Sequence, residues 1–425
     1  MNISELHTLF LGGTGVSTDT RKIASGSMFF ALKGANFNGN LFAHKALELG
    51  ANWVVADEIH GGRHEKVILV EDVLKTMQEL AAYHRLYLGI PIIAIAGSNG
   101  KTTTKELVVA VLQQKHKTGF TQGNFNNHIG VPLTLLSFSK DLEFGVVEIG
   151  ANHAGETADL CRIVKPDYGL LTNNSKDHLE GFGSIEGVRQ ANAELYQYLR
   201  TSGAKAFLNI DLPDLVEDAT GISSITYGSS SGASCRGNII SEGNALAVEI
   251  APNQLRIHTA LFGAYNLPNV LAAVCVGRYF EVNDDKIKEA LEAYRPGLNR
   301  SQIEKIGDLT VIFDCYNANP GSMMAGIRSF LEFGSSPKLM ILGDMLELGE
   351  YAANEHKEIV EFLYRNSNVE IVLIGPEFAK ADTENRYPHY ANITDFKAAF
   401  NATKYSHYTL FLKGSRGFKL EELFK

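Results

Sequence analysis

The sequence predicts an α/β protein with mainly parallel sheets, divided into three domains. Three observations lead there. At 425 residues the chain is longer than one ordinary core organises. Short apolar runs alternate with helix-periodic segments over most of its length, the pattern of βαβ units. Near residue 100 a buried-strand pattern opens through a glycine-bounded turn into a helix, and two further α/β series flank it.

Residues 1–85 read as a small N-terminal α/β domain. Strand-like Ser27–Leu32 leads into a polar loop at 34–40, helical 42–49 follows, and strands are expected at Trp53–Ala56 and Val67–Val70. The loops Ser17-Thr18-Asp19-Thr20-Arg21 and Asn36-Phe37-Asn38-Gly39-Asn40 read either as turns or as ligand loops. Residues 86–296 form the central domain, with parallel strands expected at Phe144–Ile149, Tyr168–Thr172 and Ala206–Ile210. Between 224 and 260 the texture turns Ser/Gly-rich with short β-like runs, which predicts an antiparallel meander. Helical 268–280 and 284–293 close this domain, and Pro296-Gly297 punctuates a linker. Residues 297–425 repeat the α/β alternation, with strands at Thr310–Phe313, Leu339–Leu342, Glu370–Ile374 and Thr409–Leu412. That is a doubly wound, Rossmann-like pattern, whose ligands gather at the C-terminal ends of the strands.

The chemistry begins in the central domain. Ile92–Ala96 reads as a buried strand, Gly97-Ser98-Asn99-Gly100 as a tight loop, and Lys101-Thr102-Thr103-Thr104 as the first turn of a helix. Loop N–H groups and the positive helix end then converge on one place, which suits a phosphate chain. Lys101 would reach the terminal phosphates and the Thr102 hydroxyl a magnesium ion. The loop is shorter than the usual phosphate-loop pattern, which wants a glycine where Ile95 stands.

Composition narrows the partners. With 39 basic and 48 acidic residues the net charge is −9, which argues against nucleic acid or an anionic membrane surface. No apolar run approaches the ~18 residues of a spanning helix. The first residues lack the basic-then-apolar look of a signal peptide, and the cysteines at 161, 235, 275 and 315 form no paired motif. A reducing cytoplasm, without membrane insertion, is the expectation.

Three more clusters fall just past strand ends. They are Thr121-Gln122-Gly123-Asn124-Phe125-Asn126-Asn127-His128, then Glu148-Ile149-Gly150-Ala151-Asn152-His153, and Thr172-Asn173-Asn174-Ser175-Lys176-Asp177-His178-Leu179. Glu148 alone reads equally as a cap, and His178 as a hydrogen-bonded loop residue. Beside Lys101 and Thr102, a carboxylate and an imidazole suit magnesium around a nucleotide.

These strings, with Asp19-Thr20-Arg21, Phe29-Phe30-Ala31-Leu32-Lys33-Gly34, His178-Leu179-Glu180-Gly181-Phe182-Gly183 and Gly263-Ala264-Tyr265-Asn266-Leu267-Pro268-Asn269, resemble the Mur ligases. Those are three-domain, ATP-dependent, amide-forming enzymes of bacterial cell-wall synthesis, and the resemblance covers nearly the whole chain. Asp314-Cys315-Tyr316-Asn317-Ala318-Asn319-Pro320 and Leu342-Gly343-Asp344-Met345-Leu346-Glu347-Leu348-Gly349 point to one branch of that family. Its substrates are UDP-N-acetylmuramoyl-tripeptide and D-alanyl-D-alanine.

The resemblance implies ATP and Mg2+ as cofactors, a cytoplasmic monomer, and an acyl-phosphate route to the amide. It implies a UDP-sugar-peptide domain first, an ATP domain second and a ligase domain third. It assigns Lys101, Glu148 and His178 to catalysis and Thr102, Glu148 and His178 to magnesium. Gly97, Ser98, Asn99, Gly100, Lys101, Thr102 and Thr103 would hold ATP phosphates, Asn266 and Asn269 the adenine side, and Arg300 and Asp314 would close over ATP. Asn124 and Asn126 would face the UDP-sugar peptide, while Asp344 and Glu347 would lie near the dipeptide.

Two departures stand out. Many relatives carry a carbamylated lysine where this chain has Asn192, and no lysine lies between Lys176 and Lys205. Asn38 and Asn40 stand where an acidic residue and a histidine are expected. Two other readings remain: a folylpolyglutamate-type or other Mur-type synthetase, and a non-catalytic nucleotide-binding regulator with Asn192 as the symptom.

Overall fold

Asn2 starts the first helix, Ile3–Leu11, by accepting from the Glu5 amide while the Glu5 carboxylate accepts from the Asn2 N–H. From there a computed structural model describes residues 1–241, 245–334 and 337–425. Its chain divides into two units, Met1–Ile95, His116–Ala151 and Gly155–Gly169 in the first, and Ala96–Lys115, Asn152–Ala154 and Leu170–Lys425 in the second.

In the first unit a wholly parallel sheet runs in the order Val16–Ser17, Met28–Phe30, Trp53–Ala56, Val67–Leu69. Phe29, Ala31, Val54 and Ala56 meet Ala43 and Ala46 of the helix Ala43–Glu48, so small residues let helix and sheet approach closely. Asp72 caps the long helix Val73–Leu88 through the Lys75 amide, and Gly89 ends it at φ +66°. A further parallel set follows, with Phe144–Glu148 paired on one side to Ile92–Ala96 and on the other to Thr118–Phe120. Every residue of Ile92–Ala96 is buried, as its unbroken apolar run requires.

The second unit begins with the helix Lys101–Leu112, which packs on Leu267–Tyr279 and Asp284–Ala293. The region expected as an antiparallel meander is mixed. Lys205–Asn209 pairs parallel with Ser224–Gly228, whose last two residues pair parallel with the start of Cys235–Ser241. Antiparallel pairing starts only with Ala247–Ile250 and Leu255–His258.

The C-terminal sheet has the order Gln302–Ile306, Leu309–Phe313, Thr409–Lys413, Lys338–Gly343, Glu370–Ile374, His389–Tyr390. All its pairs are parallel except the first hairpin, turned through Gly307 and Asp308. Its four inner strands are those expected, and the two edge strands are additional. Apolar clusters cover both faces, one around Phe330, Met340 and Phe411, the other around Ile341, Leu410 and Phe396. The strand ends therefore carry the polar loops at 314–319, 344–347 and 414–416. All four cysteines are free and buried. Among the described residues no helix is long and apolar enough to cross a membrane.

Candidate active site

Two glycines shape the phosphate loop. Gly97 has φ +116°, and a Cβ there would lie 2.3 Å from Thr172 Oγ1. Gly100 has φ +82°, and a Cβ there would lie 2.8 Å from Asn269 Oδ1. Neither position accepts a side chain without displacing a partner. Because Gly100 supplies no side-chain cap and the first turn holds no acidic residue, the positive end of Lys101–Leu112 is left for an external anion. Lys101 Nζ bends back onto the carbonyls of Gly97 (2.5 Å) and Ser98 (3.0 Å), keeping its charge in the loop. Thr102 and Thr103 are buried beneath it. This donor set fits a phosphate chain.

The segment after strand Tyr168–Leu171 clasps the loop. Asn173 O accepts from the Ser98 amide at 2.9 Å, and its side chain both accepts from Asn99 N (3.2 Å) and donates to Asn99 O (3.0 Å). The Ser175 amide donates to Ser98 Oγ at 3.1 Å. Farther along, Lys176 Nζ meets Glu355 at 2.6 Å, the Glu180 amide reaches Glu347 O at 3.2 Å, and Tyr351 Oη donates to Gly183 O at 2.7 Å. His178, at φ +46°, pairs through Nδ1 with Glu347 Oε2 at 2.5 Å. Asn319 Nδ2 donates to Asn99 Oδ1 at 2.8 Å. The loop, the 173–183 segment and the 319 and 347–355 stretches thus form one hydrogen-bonded assembly.

Asn192 lies on the helix Ile185–Ser202, 7% exposed, and donates to Asn174 Oδ1 at 2.9 Å and, at 3.5 Å, to Ser98 Oγ. Asn174 in turn donates to Asp214 at 2.8 Å. The amide at 192 ties the two loops together.

Asn266 and Asn269, expected on the adenine side, are only 1% and 7% exposed. Asn269 accepts from Thr104 Oγ1 (3.0 Å) and donates to Asn266 Oδ1 (2.8 Å). Asn266 donates to Phe262 O (2.8 Å) and Ser301 Oγ (3.1 Å). Their side chains brace the loop helix from behind. Asp314 accepts from the Ser301 amide at 3.1 Å and from Lys413 at 2.6 Å, with Tyr265 Oη at 3.3 Å. Burial first, then this carboxylate, pushes the Tyr265 hydroxyl well above its usual range, so it stays a neutral donor. Arg300 stacks at 3.8 Å on the Tyr316 ring, between Asn299 and Ser301, both at positive φ. Lys413 was absent from the expected site. The signal was its place directly after a strand, in Lys413-Gly414-Ser415-Arg416.

Asp344, expected near the dipeptide, is buried. It is 1% exposed, and its carboxylate accepts from the amides of Glu377 (2.8 Å) and Phe378 (2.9 Å), capping the helix Pro376–Ala381. Burial raises its pKa. In this arrangement the carboxylate positions a helix. Glu347 is exposed but directed to His178.

In the first unit Glu148, 1% exposed, accepts from Asn126 Nδ2 at 2.9 Å, and its amide donates to Thr121 Oγ1 at 3.0 Å. It pairs with Ile95 across the strands. Asn124 is exposed. Asn40 is fully buried, donating to Asp57 (2.7 Å) and accepting from the Asp57 amide (3.1 Å), so it staples a loop. Arg21 holds the Asp19 carboxyl down at about 2 through a bidentate pair. Among the described residues no group of three or more His, Cys, Asp and Glu could hold a metal.

Family models match the chain in three consecutive stretches: "Mur ligase family, catalytic domain" at residues 13–85, "Mur ligase middle domain" at 95–277, and "Mur ligase, glutamate ligase domain" at 299–416. The UDP-N-acetylmuramoyl-tripeptide--D-alanyl-D-alanine ligase of Bacillus subtilis is 34% identical, over 97% of this chain and 92% of that one. The protein of the same name from Haemophilus influenzae is 32% identical, over 96% and 92%. A crystal structure of MurF from Acinetobacter baumannii is similar with a TM-score of 0.89 at 26% identity, covering 99% of this chain and 97% of that one.

Proposed function

Since this chain belongs to the Mur ligase family, we propose that it joins D-alanyl-D-alanine to UDP-N-acetylmuramoyl-tripeptide at the expense of ATP, in peptidoglycan precursor synthesis. The peptide carboxylate attacks the γ-phosphorus of ATP, releasing ADP and leaving an acyl phosphate. The dipeptide amine then adds to the acyl carbon, phosphate departs, and the amine's extra proton goes to solvent. No protein nucleophile is needed, so the residues bind, orient and neutralise charge.

The observation that carries this reading is the uncapped helix end at Gly100–Lys101, with Lys101 already held in the loop. Lys101 and the loop amides of Gly97, Gly100, Thr102 and Thr103 stabilise charge on the transferring phosphoryl group, while the Ser98 and Asn99 amides hold the loop to Asn173. Asn266 and Asn269 fix the helix behind that loop, and Arg300 and Asp314 serve the nucleotide from the C-terminal part. Magnesium, when bound, offsets the charge of the phosphate oxygens. Thr102 and His178 are its proposed ligands in the second unit, and Glu148, oriented by Asn126, in the first.

Residues 1–85 are assigned to the UDP-sugar peptide, 86–296 to ATP and 297–425 to the dipeptide, with Asn124 and Asn126 serving the UDP-sugar peptide and Glu347 positioning His178. Asn192 replaces the family's lysine with a neutral tie between Asn174 and Ser98, so the enzyme works without a carbamate. The reaction takes place in the bacterial cytoplasm, by a monomer.

Mass spectrometry tests the reading. Purified protein given ATP, magnesium, the UDP-linked tripeptide and D-alanyl-D-alanine should yield a species equal to both substrates minus one water. Its absence, with the protein folded and binding ATP, would reject the assignment.

A further inference from the structure

The second substrate of the proposed reaction keeps a free carboxylate that the chemistry never touches. Bound at a protein surface, that carboxylate loses water and requires a cation or several donors in its place. The surroundings are unfavourable: the chain is acidic overall, and Asp344, Glu347 and Glu421 lie in or behind the loops at the strand ends of the C-terminal sheet.

Those loops are 314–320, 343–348, 375–377 and 414–418, and among their residues Arg416 is the one cation. Lys413, just before the last loop, is 2% exposed and bound to Asp314 at 2.6 Å. Arg416 differs from it. Its side chain is 55% exposed and makes one hydrogen bond among the described residues, Nη1 to Glu421 Oε1 at 2.5 Å. Glu421 is itself 5% exposed, so the guanidinium is anchored on a buried carboxylate while more than half of the side chain stays open to solvent.

Its loop is fixed as well. Ser415 is buried, its amide donating to Asp344 O (3.1 Å) and its hydroxyl to Ala318 O (3.2 Å) while accepting from the Leu346 amide (2.9 Å). One serine therefore ties three strand-end loops together next to Arg416. Leu346, 47% exposed, lies against the same loop: a Cβ on Gly417 would be 3.0 Å from Leu346 Cδ1. A fixed guanidinium fork beside an exposed apolar wall matches a small substrate bearing a carboxylate and methyl groups.

We propose that Arg416 is a specificity-determining residue that receives the C-terminal carboxylate of the incoming dipeptide, with Leu346 as the wall for its methyl groups. This rests on the ligase reading above.

The test compares D-alanyl-D-alanine with D-alanyl-D-alaninamide, which lacks the negative charge, in wild type, Arg416→Gln and Arg416→Lys. Wild type should prefer the acid in kcat/KM by roughly 10- to 100-fold, the range of one charge-assisted pair. Arg416→Gln should lose most of that preference through the KM for the acid, with the KM for ATP unchanged. Arg416→Lys should keep part of it. Wild-type preference surviving intact in Arg416→Gln overturns the proposal while leaving the ligase reading standing. A wild type that joins neither compound overturns both.

Discussion

Replacing Gly100 with alanine separates backbone strain from loss of the asparagine brace. An L-residue at φ +82° costs about 1 kcal/mol. The new Cβ would sit 2.8 Å from Asn269 Oδ1, inside contact distance, so Asn269 must move. It then loses the Thr104 bond (3.0 Å) and the Asn266 bond (2.8 Å), both buried, at about 1 kcal/mol each. The expected cost is about 3 kcal/mol, or roughly a hundredfold faster amide exchange in Lys101–Leu112. Gly203→Ala is the control: φ is +72°, nothing lies within 4 Å, and only the strain of about 1 kcal/mol should appear, in Ile185–Ser202. Exchange measured by mass spectrometry reads each helix separately, which suits a chain of this size better than one melting curve. The KM for ATP should rise in Gly100→Ala alone. Equal exchange effects in the two variants, with ATP binding unchanged, would refute the bracing role of Asn269.

Other consequences are simpler to state. Lys101→Ala should lower kcat by orders of magnitude with circular dichroism unchanged, since among the described residues the Lys101 hydrogen bonds go to loop carbonyls. If Asn192 stands in for the family's carbamylated lysine, as proposed above, added bicarbonate should not stimulate turnover, and Asn192→Lys should not improve it. Stimulation by bicarbonate, or carbamate density near His178, would contradict this. In the first unit His7 Nε2 and His84 Nδ1 lie 3.0 Å apart, and burial lowers both pKa values, with the His84 charge adding to the effect at His7. The unfolded chain then binds more protons below about pH 6.5, so stability is full above that pH and falls as pH drops beneath it. Thermal scans of wild type from pH 7.5 to about 5.5 should show that fall, and His7→Phe should flatten it; equal slopes would discount the pair.

The phosphate loop was legible because everything that makes it is local: an apolar run, two glycines, and Lys101 at a helix start. The inner strands of the C-terminal sheet were legible for the same reason, as unbroken apolar runs buried on both faces. The edge strands Gln302–Ile306 and His389–Tyr390 were not, since a strand paired on one side tolerates lysine, glutamate and a preceding proline. Ser224–Gly228 misled because a connection of a few residues usually joins antiparallel strands, whereas here the parallel pairing spans only two residues. Asn266, Asn269 and Asp344 stand out in the sequence as polar residues of singled-out strings, but their burial comes from helices distant in sequence. No periodicity says which side of a loop such a residue faces. Lys413 and Arg416 followed the same strand, and only the fold distinguishes the buried partner of Asp314 from the exposed cation.

In the proposed reaction ATP cleavage is coupled to the joining of two substrates. Phosphate release, followed continuously with ATP, magnesium, UDP-N-acetylmuramoyl-tripeptide and D-alanyl-D-alanine supplied singly, in pairs and together, tests it most directly. Sustained release is expected only when all are present. Release at the same rate without the dipeptide would contradict it.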